Sequence, residues 1–216
     1  MQTRTRIFRR PLAVAAVTSI ALSLVGASLA GAVDPGQQSS FGRMFPGQDP
    51  FRPSDDSLTK LVQTQRDKGQ TQLDNQGVPA GFTYLGQFID HDLTRNPQPL
   101  PAGPFDPTTL KNLRTAAFDL DSVYGQGPTG DQASKALYEA DNKHFRVTEE
   151  EDQVNGVPDL VRNENGGALL IEPRNDENLI IAQIHLAVQK FHNRLIDEGA
   201  NFNTARRLTQ WHYQWV

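Results

Sequence analysis

Apolar positions recur at helical spacing in several separate stretches of the chain. Leu58, Leu61, Val62 and Gln65 share one side of a helix predicted to run from a Ser54 or Asp55 cap to about Lys68. Leu85, Phe88 and Ile89 mark a second helix. It stops before Asn96-Pro97, because a residue ahead of proline is driven out of the helical region. Pro97, Pro99, Pro101, Pro104 and Pro107 make residues 95–109 an irregular loop. Residues 131–141 read as a short helix with Ala136, Leu137 and Ala140 on one side. Ala168-Leu169-Leu170-Ile171 reads as a strand-like apolar run, and His144 to Asn165 as a polar loop. The clearest helix starts at Asn175, Asp176 and Glu177, which offer a cap and negative charge where the helix dipole favours them. Its predicted buried stripe is Leu179, Ile180, Ile184, Val188, Phe191 and Leu195. Thr204 to Val216 is a further helix that ends in mid-pattern, so the chain is expected to continue beyond Val216. The expected class is mainly α with long irregular loops.

The N-terminus changes this picture. Arg4, Arg6, Arg9 and Arg10 precede a run without charges from Pro11 to Ala32, which closes on Ala30-Gly31-Ala32. This is the layout of a secretory signal peptide over residues 1–32, cleaved near Ala32 and leaving no stable membrane association. An uncleaved membrane anchor is the alternative, and Arg9-Arg10 also permits twin-arginine export. Residues 33–55, with Phe41, Met44, Phe45 and Phe51 among Gly, Pro and Gln, are predicted to be an extended arm laid over a core. Residues 56–216 form the domain. Losing the four arginines of residues 1–32 moves the formal charge from −4 to −8, which argues against nucleic acid and anionic membrane as partners. The chain has no cysteine. Packing, a metal or a cofactor must therefore do what disulfides do in many secreted domains, and thiolate chemistry is excluded.

Three constellations carry candidate chemistry. Gln87, Asp90 and His91 are spaced i, i+3, i+4, so a helix places an amide, a carboxylate and an imidazole on one face. Such a histidine can take a proton from a bound peroxide and return it to the leaving oxygen, or it can ligate a metal. Asp92 with Thr115, Asp119 and Asp121 offers oxygen donors at alternate positions of a loop plus one carboxylate from elsewhere, with the Ala117 carbonyl between. That set suits calcium; solvated acidic side chains on a turn are the plain alternative. Arg174 and Glu177 flank the start of the clearest helix. A fixed arginine there can stabilise developing negative charge or simply pair with the glutamate. His185 and His192, seven apart, are read as packing or hydrogen-bonding residues.

Four stretches, in this order, resemble the animal-type haem peroxidase family, including its bacterial secreted members. They are Leu85-Gly86-Gln87-Phe88-Ile89-Asp90-His91-Asp92-Leu93, the segment from Arg114 to Gly125, Pro173-Arg174-Asn175-Asp176-Glu177-Asn178, and His192-Asn193-Arg194-Leu195. The likeness runs from Phe41 to the end of the chain. It implies a helical haem peroxidase fold that binds haem b and calcium and reduces hydrogen peroxide while oxidising a small-molecule reductant or a halide. It implies His91 as the distal acid–base, Gln87 as the distal glutamine and Arg174 as the residue that polarises the O–O bond. Asp90 and Glu177 would be the carboxylates that form ester links to haem. Asp92, Thr115, Ala117, Asp119 and Asp121 would be the calcium ligands.

The chain departs from the family in three respects. Asn178 stands where the mammalian myeloid enzyme has a haem-bonded methionine. The disulfides of animal members are absent. The family's proximal histidine and its supporting asparagine lie downstream of Val216 in a typical member, so this chain is expected to hold only the distal half of the site. The alternatives to this expectation are an inactive secreted fragment with a calcium loop, a haem fatty-acid dioxygenase, and a hydrolytic metal site built by Asp90, His91 and Asp92.

Overall fold

A computed structural model describes residues 39–49, 51–67, 77–103, 105–148 and 158–216. The predicted signal segment lies outside the described residues. The protein is mainly helical. Its elements are β1 (Ser39–Ser40), α1 (Asp55–Asp67), α2 (Gly81–Leu93), β2 (Lys111–Asn112), α3 (Asp121–Tyr124), α4 (Gln132–Lys135), α5 (Leu179–Asp197) and α6 (Phe202–Trp215). Two 3₁₀ turns, Pro107–Thr109 and Pro173–Asp176, each begin at a proline whose fixed φ suits a helical start. No helix among the described residues is long and apolar enough to cross a membrane.

Helix α2 is the pivot. It buries Phe88, His91 and Asp92, and Thr94 at its end is already extended. Asn112 clamps this end: its Oδ1 accepts from Arg95 N–H at 2.8 Å and its Nδ2 donates to the Leu93 carbonyl at 2.8 Å. The main core gathers Phe88, Leu120, Val123, Tyr124, Ile171 and Ile181 between α2, α3 and α5, with Leu137, Tyr138 and Phe145 added from the loop after α4. A smaller cluster, Leu160, Leu170, Ala182 and Leu186, sits on the other flank of α5. Helix α5 ends on Gly199, whose φ of +99° only glycine adopts cheaply, and Asn201 caps α6 by accepting from Thr204 N–H.

Five expectations change. Helix α5 begins at Leu179 with Asn178 as its cap, its side chain accepting from Ile181 N–H, while residues 173–176 form the 3₁₀ turn. The buried face of α5 is Ile181, Ala182, His185, Leu186, Gln189, His192 and Ile196, not the predicted stripe. Leu179 and Ile180 are exposed, and Ile184, Val188, Phe191 and Leu195 are half-buried. Helix α4 covers only Gln132–Lys135, because the chain then leaves helical geometry to pair Tyr138 with Phe145. Among the described residues the run 168–171 has no partner strand and forms one bridge, Arg162 with Ala168. The arm is seated by backbone pairing, Ser39 with Asn112 and Ser40 with Lys111. Its Met44, Phe45 and Phe51 side chains face solvent instead of covering a core.

Candidate functional site

Helix α2 and the turn before α5 meet at His91. Its Nδ1 lies 2.8 Å from Asn175 Oδ1, and Asn175 Nδ2 lies 3.0 Å from His185 Nδ1. Asn175 and His185 are fully buried. An amide oxygen only accepts and an amide nitrogen only donates. The chain of bonds therefore places the proton of His91 on Nδ1 and leaves the lone pair on Nε2. Burial pushes His185 down to about 3, so it stays neutral and can accept from Asn175. Asn175, expected to cap a helix, instead orients His91 across 84 positions of sequence, and no local pattern signals such a pairing.

Around His91 the other predicted residues separate into an open side and an inner side. Gln87 Nε2 donates to Glu177 Oε2 at 2.9 Å, joining α2 to the start of α5. Asp90 and Glu177 are exposed. Arg174 turns inward. Its Nε donates to Glu172 Oε1 at 2.8 Å, and its Nη2 donates to Glu172 Oε2 at 3.0 Å and to the His91 carbonyl at 3.3 Å. Arg174 and Glu177 therefore do not pair: Arg174 goes to Glu172, and Glu177 to Gln87. Asp176 instead takes both terminal nitrogens of Arg162 at 2.8 Å, which fixes the turn that carries Arg174 and Asn175.

The acidic loop stands directly behind. Asp92, Asp119 and Asp121 each offer a carboxylate oxygen within 4.8 Å of the others, a group able to hold a cation. Asp92 is fully buried and accepts from Leu120 N–H at 3.0 Å and from Ser122 Oγ at 2.7 Å. Leu120 has φ +58°, a left-handed conformation that costs a branched side chain about 1–2 kcal/mol, and Asp92 helps to hold it there. Thr115 donates through Oγ1 to Asp119 at 2.7 Å and through N–H to Asp121 at 2.9 Å. Ala117 lies in the exposed part of the same loop. Burial raises the Asp92 carboxyl and pushes Asp121 up to about 6, against the pull of Arg114. Asp121 Oδ1 is buried with no hydrogen-bond partner. Two carboxylates made reluctant to ionise, a third beside them and one orphaned oxygen fit a hard, oxygen-seeking cation. Helix α6 braces the loop from outside: Gln210 Nε2 donates to the Asp119 carbonyl and Gln214 Nε2 to the Phe118 carbonyl at 2.8 Å.

A haem can be tested against the same donor set. Gln87, Asp90, His91 and Glu177 are the polar side chains gathered where α2 meets the turn before α5. The other four histidines are engaged elsewhere. His144 lies between Asp141 and Asp197, His185 on Asn175, His192 between Tyr124 and the Lys143 carbonyl, and His212 on the Leu208 carbonyl. A haem at this site would meet Gln87, Asp90, His91 and Glu177 on one side, and no other described histidine stands with them. The described cavity of about 370 Å³, lined by His144, Phe145, Lys190 and Asp197 among others, belongs to a different part of the surface. Comparison with protein-family models, with characterised proteins and with solved structures finds no match to this chain.

Proposed function

We propose that this chain is the peroxide-facing part of a secreted haem peroxidase of the animal type. It reduces hydrogen peroxide and oxidises a small organic donor or a halide, and calcium is held behind the site by Asp92, Asp119 and Asp121 with Thr115 and the Ala117 carbonyl. The observation that carries this reading is the buried imidazole of His91, whose Nδ1 lies 2.8 Å from Asn175 Oδ1. Haem, when bound, supplies the iron at which peroxide is reduced and the oxidising equivalents passed to the donor. His91 Nε2 accepts the proton of hydrogen peroxide and returns it to the departing oxygen, the work of a general base that becomes a general acid. Arg174 holds a positive charge against the His91 carbonyl and favours negative charge developing in front of it. Gln87, steadied by Glu177, orders water or halide beside the imidazole. Asp90 and Glu177 are the exposed carboxylates available for ester links. The metal cluster shares α2 with His91, so a bound cation stiffens the helix that aims the imidazole.

The test is a hemin titration of the full chain with and without calcium, followed in the Soret band and then challenged with hydrogen peroxide. The expected result is a saturable, shifted band that changes on peroxide addition, with His91→Ala still binding hemin but reacting about 10²–10⁴ times more slowly. Equal rates for wild type and His91→Ala would overturn the assignment. A second reading, a calcium-loop protein without catalysis, draws on the engagement of the other four histidines with protein groups. Calcium binding with no specific Soret band would select it.

A further inference from the structure

Between the acidic cluster and Arg174 lies a buried carboxylate that neither role accounts for. Glu172 is 1% exposed, and three guanidinium groups surround it. Arg114 donates to its Oε2 through Nη2 at 2.8 Å and through Nε at 3.1 Å. Arg174 donates to Oε1 through Nε at 2.8 Å and to Oε2 through Nη2 at 3.0 Å. Arg95 Nη1 stands 3.7 Å from Oε2. The same Arg114 Nε lies 3.7 Å from Asp121 Oδ1, the oxygen of the acidic cluster that has no hydrogen-bond partner. The groups therefore form one unbroken line: Asp121, Arg114, Glu172, Arg174, and then the His91 carbonyl.

We propose that Glu172 is a positioning residue that transmits occupancy of the carboxylate cluster to Arg174. The proposal rests on the reading of that cluster as a metal site. Without a cation, Arg114 is shared between two carboxylates, Asp121 and Glu172. A divalent cation claims the charge of Asp121, so Arg114 settles more fully on Glu172 Oε2. That oxygen also receives Arg174 Nη2, so two guanidinium groups compete for it. The Arg174 hydrogen bonds shift accordingly, and with them the charge that faces the His91 helix. In low-dielectric surroundings such a rearrangement is not screened by water. The substitution Glu172→Gln breaks the relay, because the amide keeps the shape of the side chain and loses its charge.

The experiment follows the arginine Nε–H resonances of the ¹⁵N-labelled full chain during titration with calcium chloride alone, with binding heat measured in parallel. The Arg114 and Arg174 signals are assigned by loss in Arg114→Lys and Arg174→Lys. The expected result is that both signals move with the midpoint of the binding heat. In Glu172→Gln calcium still binds, Arg114 still responds and the Arg174 shift is lost. Glu172→Asp, which keeps the charge, restores part of that shift. Binding heat with a motionless Arg174 signal in wild type overturns the relay and leaves the metal reading standing. An undiminished Arg174 shift in Glu172→Gln overturns it as well, because the signal then travels along α2 from Asp92. Absence of binding heat overturns the metal reading and the relay together. Where Glu172→Gln does not fold, the wild-type titration still tests the relay, because a motionless Arg174 signal overturns it.

Discussion

How the His91 ring faces is set by a single partner, because its Nδ1 lies 2.8 Å from Asn175 Oδ1. Gln87, His91 and Asp92 stand out in the sequence because a helix fixes which of them share a face, and α2 turns His91 and Asp92 inward. Asn175 is indistinguishable from a capping residue until the fold closes 84 positions of chain onto His91. Its replacement tests whether orientation matters. Asn175→Val removes the bond to Nδ1 and leaves His91 free to rotate or change tautomer. Reaction of the hemin-loaded protein with hydrogen peroxide should slow by about 10–100-fold in stopped-flow, the usual cost of losing an outer-shell orienting group. An unchanged rate would make Asn175 a packing residue. Asp121 sets a second expectation. Burial raises its carboxyl to about 6, so a proton competes with any cation below that pH. Calcium affinity measured by calorimetry should hold above about pH 7 and fall as pH drops through 6. A flat profile from pH 7 to 5 would remove Asp121 from the ligand set.

Among the elements, α1, α2 and α6 match the pattern of the sequence most closely, since each has a clear stop or start. Helix α5 does not. Apolar residues lie almost all round it, so periodicity alone cannot choose the face. The choice falls to polar residues that find buried partners: His185 on Asn175 and His192 between Tyr124 and the Lys143 carbonyl. The run 168–171 misleads for a related reason, because an apolar stretch needs a neighbouring strand to become one. The short α3 depends on the glycine at its end. Gly125 has φ +53°, and an added Cβ would stand 2.5 Å from Ser134 Oγ and 2.9 Å from Ile171 Cδ1. Gly125→Ala should cost about 2–4 kcal/mol in urea unfolding, from the strained backbone and the overpacked contact together. A loss below about 0.5 kcal/mol, the scale of a neutral surface change, would mean that the turn after α3 relaxes freely.

For the whole molecule, acid is the expected weakness. Burial lowers His185 to about 3 and His192 to about 4, whereas both titrate near 6.5 in an unfolded chain. Below pH 6.5 the unfolded chain takes up protons that the native state refuses, so stability falls as pH drops. The slope is at most roughly 1.4 kcal/mol per pH unit for each histidine. Metal-free Asp121 acts in the opposite sense between about 6 and 3.8, because there the native state holds the extra proton, and Asp92, also raised by burial, acts with it. Calcium removes that compensation by keeping the carboxyl charged. Tm measured from pH 7 to 4.5 should therefore fall with calcium present, and less steeply without it. With calcium present, a Tm that rises on acidification would contradict the burial of His185 and His192 as neutral groups.

Both tryptophans of the chain lie on α6, at positions 211 and 215, exposed to solvent and each directly after one of the glutamines that brace the acidic loop. The protein thus carries a built-in optical gauge. Any tightening or slackening of that loop passes through Gln210 and Gln214 into the only two indoles the molecule owns. Their emission reads the state of the loop with no dye attached.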